Sequence, residues 1–465
     1  MLRIAVVGSG PSGVYTAQAL IQQNRVPGVR VQVLDRLPCP YGLVRYGVAP
    51  DHEKIKSLQN NLRAVLEDER ISFLGHLEAG TPGLGPERLL ELYHAVVYCV
   101  GAATDRRLGI PGEDLPGSHS ATDFVSWYSA HPDTPAGDFA DGALTARDAV
   151  VIGVGNVAVD VARILARAAD ELRPTDVPET ALGALAHSRV REVHVVGRRG
   201  PSQARFTTKE LRELGALPSA DATVDPAELA LDPAYGSPGT AAALPAVHRR
   251  NLEVLRGWTE NTARPGAEGG RERRIRLRFF LRPVELLARD GRVGAVRFER
   301  TAPDGDGGVR GTGRYEDIPA QLVLRAVGYR GEPLPGLPFD ARGGTVPHAA
   351  GRVLRDGIPS PGEYVAGWIK RGPSGVIGTN RPCAKETVES LLEDAPRLAE
   401  RRVADDPEAV LRAAGHRPVV WPGWLAIEAA ESALGASLGR GSVKIPDWDG
   451  LLAAADGSAD GGTGG

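Results

Sequence analysis

"VVGSGPSGVYTAQAL" at residues 6–20 and "VIGVGNVAVDVAR" at residues 151–163 decide the fold, because each runs from an apolar strand through a glycine-spaced turn into an amphipathic helix. The spaced residues are Gly8, Gly10 and Gly13 in the first copy, and Gly153, Gly155 and Ala158 in the second. The first position lets the strand turn tightly, the second lets a pyrophosphate approach bare backbone, and the third keeps helix and strand close. The helix N-terminus then offers free N–H groups and a positive dipole end to the phosphates. Two such turns on one chain imply two dinucleotides.

What ends the second strand of each unit separates the two ligands. "VRVQVLD" ends in Asp35, a carboxylate suited to accept hydrogen bonds from a free ribose 2′-OH and to repel a 2′-phosphate, so this site favours FAD or NAD. "REVHVVGRRG" carries Arg198 and Arg199 at the corresponding place, where two guanidiniums can pair with a 2′-phosphate dianion; NADPH is the natural occupant. The plainer alternative is a solvated arginine pair on a turn. A chain that holds both a flavin and a nicotinamide dinucleotide is expected to be an oxidoreductase.

At 465 residues the chain exceeds one ordinary core. The expected fold class is α/β with two Rossmann-like dinucleotide-binding domains, the FAD domain discontinuous, in a glutathione reductase-like two-domain architecture. The Pro-Gly break in "LGIPGED" suggests a crossing near residue 108. The likeness of "QLVLRAVGYRG" to the earlier "AVVYCVGA" suggests a return near residue 326. The domains are therefore expected at 1–108 (FAD, first part), 109–325 (NADP) and 326–455 (FAD, second part), with a disordered Gly-rich tail at 456–465. Residues 218–270 are expected to form surface loops and short helices, and "RRIRLRFFLRPVEL" and "VGAVRFER" to form strands.

A formal net charge of −3 argues against nucleic-acid binding. No stretch approaches the ~20 apolar residues that a membrane span needs, so no membrane insertion is expected. "MLRIAVVGSG" enters a strand at once, which favours a cytoplasmic bacterial location. Cys39, Cys99 and Cys383 form neither a C-x-x-C pair nor a metal-ligand spacing, which argues against a thioredoxin- or glutathione-reductase chemistry and against a metal site.

"PCPYGLVRYGVAPDH" (38–52) is too rich in Pro and Gly for a regular element and too long for a mere connector. "GWIKRGPSGVIGTN" (367–380) offers a flat Trp and bare backbone to a flavin ring, although its composition fits an ordinary Gly-rich loop equally well. Together with "VVGRRGPSQARFTTKELREL" (195–214), these segments resemble the ferredoxin:NADP reductases of the adrenodoxin reductase type, bacterial branch, in the right order from residue 1 to about residue 400.

The resemblance implies FAD contacts at Ser12, Asp35, Leu43, a backbone segment near Leu77, Trp368 and the turn Gly375, Val376 and Ile377. It implies that Val154, Gly155, Asn156 and Val157 embrace the NADP pyrophosphate and that Glu210 contacts the nicotinamide nucleotide. His52 resembles the family histidine near the flavin and Glu213 its acidic companion. Such a pair could steady the nicotinamide or handle protons, or form a structural hydrogen bond only. Asp160 is near the expected cleft, where it could also merely cap or pair.

The chain departs from the family pattern in four places: Asp35 is the shorter of the two acids the family uses there, which loosens the ribose contact; the match is poorer around "HLEAGTPGLGPERL", where the adenine contact falls; Val154 stands where polar residues often sit, which removes one side-chain contact; and the polar C-terminal tail has no counterpart. The implied activity is hydride transfer from NADPH to FAD and single-electron transfer to a ferredoxin. Alternatives are an electron-input flavoprotein like the glutamate synthase small subunit, a flavin monooxygenase, or an idle flavin-binding scaffold. A ferredoxin is acidic, so a basic docking face is expected, with "RERRIRLR" (271–278) and Lys370 with Arg371 as candidates.

Overall fold

The computed structural model describes all residues except 136, 141, 263–270 and 458–465. The chain opens with β1 (Leu2–Val7), α1 (Pro11–Gln22), β2 (Val29–Leu34), β3 (Ile71–Gly75) and β4 (Ala95–Tyr98). It continues through β5 (Ser118–Ser120), β6 (Asp148–Ile152), α2 (Asn156–Ala166), β7 (Glu192–Val196), α3 (Thr208–Gly215), β8 (Ala220–Val224) and α4 (Ala246–Thr262). Next come β9 (Arg273–Arg278), the meander β10 (Leu281–Arg289), β11 (Arg292–Pro303) and β12 (Val309–Pro319), and then β13 (Leu322–Arg325). The last stretch holds β14 (His348–Ala349), β15 (Arg352–Arg355), β16 (Ile358–Val365), α5 (Asn380–Leu398), β17 (Val419–Val420), α6 (Trp421–Ser437) and α7 (Trp448–Asp456).

These elements form two compact units. The first comprises residues 1–48, 52–104 and 329–465, and the second residues 49–51 and 105–328. The final helix runs to Asp456, and residues 458–465 of the tail read as disordered lie outside the described residues.

The first unit is built on an eight-stranded sheet in the order β14-β15-β16-β4-β1-β2-β3-β17. Its centre, β16, β4, β1, β2 and β3, is parallel. Alternate residues of β1 serve opposite faces: Ile4 and Val6 join a core with α1, α5, α6 and α7, while Ala5 and Val7 join one with Leu89, Leu92 and Val365. A sheet covered on both faces explains why these strands read as continuous apolar runs.

The second unit has a six-stranded, all-parallel sheet in the order β5-β13-β6-β7-β9-β8. On one face Ala149 and Val151 pack with α2. On the other, Val150 and Ile152 pack with Leu281, Val296 and Phe298 of the meander. The region expected as loops and short helices contains the edge strand β8 and the 17-residue helix α4. Its mixed, Ala-rich pattern hid both, since Leu252 and Leu255 of α4 and Ala220 of β8 are buried only against tertiary neighbours.

Candidate functional site

Both fingerprints are built in the same way. Gly8 N donates to Leu34 O of β2 (2.7 Å) and Gly153 N donates to Val196 O of β7 (2.9 Å). On the other side, Cys99 N donates to Val7 O (2.7 Å) and Ala326 N to Ile152 O (2.8 Å). Gly8 (φ 107°) and Gly153 (φ 140°) turn where only glycine is relaxed, and a Cβ there would strike the carbonyl oxygens of Cys99 and Ala326. In each sheet this is the place where strand order reverses, between β1 and β4 and between β6 and β13. Open α/β sheets bind ligands at that crevice.

Around the first turn, a Cβ on Gly13 would fall onto the carbonyl oxygen of Gly8, so α1 is locked against the strand end. Gly10 caps α1 with Pro11 beginning the helix, and Ser12 is buried in its first turn. Asp35 accepts from Ser9 Oγ (2.5 Å), Ser9 N (2.7 Å) and Leu37 N (2.9 Å). Burial lifts its carboxyl above the ordinary value, while the donors from Ser9 and Leu37 oppose the shift. Leu77 is buried, and its N donates to Asp35 O (2.8 Å).

The long Pro/Gly loop reaches the turn: Tyr41 N donates to Ser9 O (3.1 Å), and Gly42 caps the short helix Leu43–Tyr46 that presents the exposed Leu43. The loop is anchored from the C-terminal side. Buried Arg45 makes a two-pronged pair with buried Glu431 (3.1 and 2.6 Å) and lies over the rings of Tyr46 (5.0 Å) and Trp424 (5.1 Å).

Gly367 tolerates no Cβ because Ser12 lies against it, which brings the Trp368 segment to the first turn of α1. Trp368 stands beside Tyr329 with ring centroids 5.4 Å apart, and its buried Nε1 has no hydrogen-bond partner among the described residues. Gly375 and Val376 are exposed and Ile377 is half-buried. A bare turn, an indole with a free donor, exposed Leu43 and Val376, and a carboxylate at the end of β2 fit the parts of a flavin dinucleotide.

In the second unit Gly155 caps α2, and a Cβ there would meet nothing within 4 Å, leaving the helix terminus open to an anion. Asn156 Oδ1 accepts from Thr207 N (2.8 Å), and Val154 and Val157 are partly buried against the core. Arg198 is exposed and Arg199 half-buried, and neither makes an ion pair among the described residues. Burial, with the charges of Arg198 and Arg205, lowers the proton affinity of Arg199. Glu210 is buried in α3 with Oε2 lacking a hydrogen-bond partner among the described residues, an acceptor available to an amide donor. These features fit NADP(H).

Asp160 is held by Arg163 (2.7 Å), which also binds Asp51, itself 3.2 Å from Arg167; the second unit thus claims the residue before His52. Glu213 lies 3.5 Å from Lys209 on α3. His52 belongs to the first unit, is buried, and caps the helix Glu53–Lys56 through its carbonyl.

Both expected basic docking patches are corrected. β9 is an interior strand on which Arg274 and Arg276 pair with Glu192 (3.2 and 2.8 Å), and Arg278 pairs with Glu228 and Glu316 (2.8 and 2.7 Å). Lys370 is buried on Glu386 (3.0 Å) and Thr387 (2.9 Å), and Arg371 is bonded to Asn380 (3.0 Å).

Cys39, Cys99 and Cys383 are free and buried. Burial pushes the Cys39 thiol up to about 11 and the Cys99 thiol up to about 12, the opposite of an activated redox thiol. Among the described residues no group of three or more His, Cys, Asp or Glu could hold a metal, and no helix is long and apolar enough to cross a membrane.

The two sites define a two-dinucleotide oxidoreductase of glutathione reductase-like architecture, and residues 2–214 match the family described as pyridine nucleotide-disulphide oxidoreductase. The chain is 45% identical to the NADPH-ferredoxin reductase FprA of Mycobacterium tuberculosis over 97% of this chain and 98% of that protein. It is 40% identical to the human mitochondrial NADPH:adrenodoxin oxidoreductase over 97% and 91%. The solved structure of FprA with NADPH superposes with a TM-score of 0.87 at 43% identity, over 98% of this chain and 99% of that one. The chain therefore belongs to the NADPH-ferredoxin and adrenodoxin reductase family.

Proposed function

We propose that this protein is an NADPH:ferredoxin reductase working in the cytoplasm, with FAD held by the first unit and NADPH bound by the second. The observation that carries this reading is opposite charge at matching places: Asp35 follows β2, whereas Arg198 and Arg199, without acid partners among the described residues, follow β7. A carboxylate welcomes a ribose hydroxyl and repels a phosphate, and paired guanidiniums reverse that preference. The close relatives named for NADPH and for ferredoxin or adrenodoxin support the same pairing of donor and acceptor.

When bound, FAD supplies the exchange between a two-electron hydride donor and one-electron acceptors. The chain's own residues do the rest. The α1 and α2 termini hold pyrophosphates, Asp35 holds the flavin-side ribose, and Ser12, Leu43, Leu77, Trp368, Gly375, Val376 and Ile377 line the flavin. Val154 to Val157 cradle the second pyrophosphate, and Glu210 orients the nicotinamide nucleotide by accepting at Oε2. His52 and Glu213 are assigned to steadying the nicotinamide and holding a proton near it, since an imidazole changes charge near neutral pH; Asp160, ion-paired to Arg163, supports that region of α2. Three buried, unlinked cysteines suit a reducing compartment.

Anaerobic titration tests the reading. NADPH should bleach the yellow protein and NADH should hardly do so, and cytochrome c reduction by the protein should depend on added ferredoxin. In the Arg198→Ala/Arg199→Ala variant the NADPH preference in kcat/KM should fall by about 100-fold, from two charge-assisted contacts. An unchanged preference would overturn the assignment.

A further inference from the structure

We propose that Arg205 is a third cation of the 2′-phosphate pocket and sets part of the selectivity for NADP(H) over NAD(H), an inference that rests on the nucleotide assignment of the second unit. Val154, inside the fingerprint, ties the two basic segments together. Its carbonyl accepts from Arg205 N (2.8 Å), and its Cγ1 lies 2.9 Å from the point where a Cβ on Gly197 would sit. Arg198 follows Gly197 directly, so both segments converge on one residue of the turn.

Arg205 has an exposed side chain on a backbone fixed at this point, and among the described residues it makes no ion pair. This contrasts with the arginines of β9 in the same unit, nearly all of which have found a glutamate. Arg199 feels Arg198 and Arg205 as repulsive neighbours, in that order, after the effect of its own burial.

Three cations held together without a counter-charge among the described residues repel one another, and a bound anion relieves that repulsion. A phosphate monoester carries about −1.5 to −2 charges near pH 7 and three acceptor oxygens, so it can use three guanidiniums. A ribose hydroxyl can use none of that charge. The contribution of Arg205 should therefore fall on ligands that carry the 2′-phosphate and leave others alone.

Calorimetric binding of 2′,5′-ADP and of 5′-ADP to the FAD-loaded protein separates these cases without turnover. Arg205→Ala should weaken 2′,5′-ADP by about tenfold, with 5′-ADP changed by less than about twofold, and Arg205→Lys should recover most of the loss. Equal loss for both ligands, or loss for neither, overturns the role of Arg205. The Arg198→Ala/Arg199→Ala variant distinguishes that failure from a wider one. If this variant loses 2′,5′-ADP selectively while Arg205→Ala does not, only the present inference falls. If wild-type protein binds the two ligands alike, the nucleotide assignment falls with it.

Discussion

Replacing Glu431 by alanine should loosen the flavin without touching any residue assigned to it. The Glu431 side chain lies in α6, far along the chain from the Pro/Gly loop, yet it makes both charge-assisted hydrogen bonds to Arg45 and also accepts from Ile445 N (3.0 Å). Burial opposes the charge on Arg45, and the Glu431 carboxylate more than compensates, holding the guanidinium well above its usual value. Lys444 is buried alongside, with Nζ on Arg45 O (2.6 Å) and over the Tyr46 ring at 5.7 Å. In Glu431→Ala the Arg45 charge keeps its desolvation penalty and loses its anion, which costs about 3–5 kcal/mol.

In a unit of roughly 240 residues each kcal/mol moves the melting midpoint by about 2–4 °C, so flavin should leave about 10 °C earlier. Released flavin is fluorescent, and a thermal ramp followed at its emission reads this directly. The double variant Arg45→Met/Glu431→Met removes both charges and keeps apolar bulk between Tyr46 and Trp424. It should therefore lose less than Glu431→Ala alone. A single variant that melts like wild type, or a double variant worse than the single, would refute the idea that an uncompensated buried charge controls the loop.

Gly13→Ala places a Cβ on the Gly8 carbonyl and should yield protein without flavin. Gly155→Ala meets nothing within 4 Å, so it should fold, stay yellow and bind NADPH about tenfold more weakly because the Cβ intrudes on the phosphate. Absorbance ratios and NADPH titration check both, and a colourless Gly155→Ala protein would contradict the open terminus. His194 has its pKa lowered from 6.5 to about 4 by burial and by Arg278 and Arg276. The fold thus resists charging it, and its contribution is complete above pH 6.5 and lost as pH falls toward 4, by up to about 3 kcal/mol. Thermal midpoints between pH 7 and pH 5 should show this slope, and His194→Gln should flatten it. His52→Gln should lower kcat more than it raises the KM for NADPH. A kcat equal to that of wild type would confine His52 to a structural role.

The fingerprints were legible because a dinucleotide turn is a local object: strand, three spaced small residues and helix lie within about fifteen positions. Asp35 and the Arg198–Arg199 pair were legible too, since each follows an apolar strand. Arg205 was not singled out, although it stands only six residues beyond Arg199. Nothing in "GPSQARF" says that its backbone returns to Val154. The basic stretch at 271–278 misled for the same reason: its partner for Arg274 is Glu192, opposite it in the sheet register and 82 residues away. Lys370 looked like a surface charge until the helix bearing Glu386 and Thr387 packed over it.

By itself the sequence determined that two dinucleotide folds are present, which carries the carboxylate and which the arginines, and that no paired redox cysteines exist. Those properties depend on periodicity, glycine spacing and residue type, which short-range sterics and charge read directly. Only the tertiary structure decided which charges stay free and which are spent on one another, how α6 secures the Pro/Gly loop through Glu431, and that the backbone of Arg205 returns to Val154. A charge's partner is chosen by distance in space, and strand order and helix packing set that distance across many residues of chain.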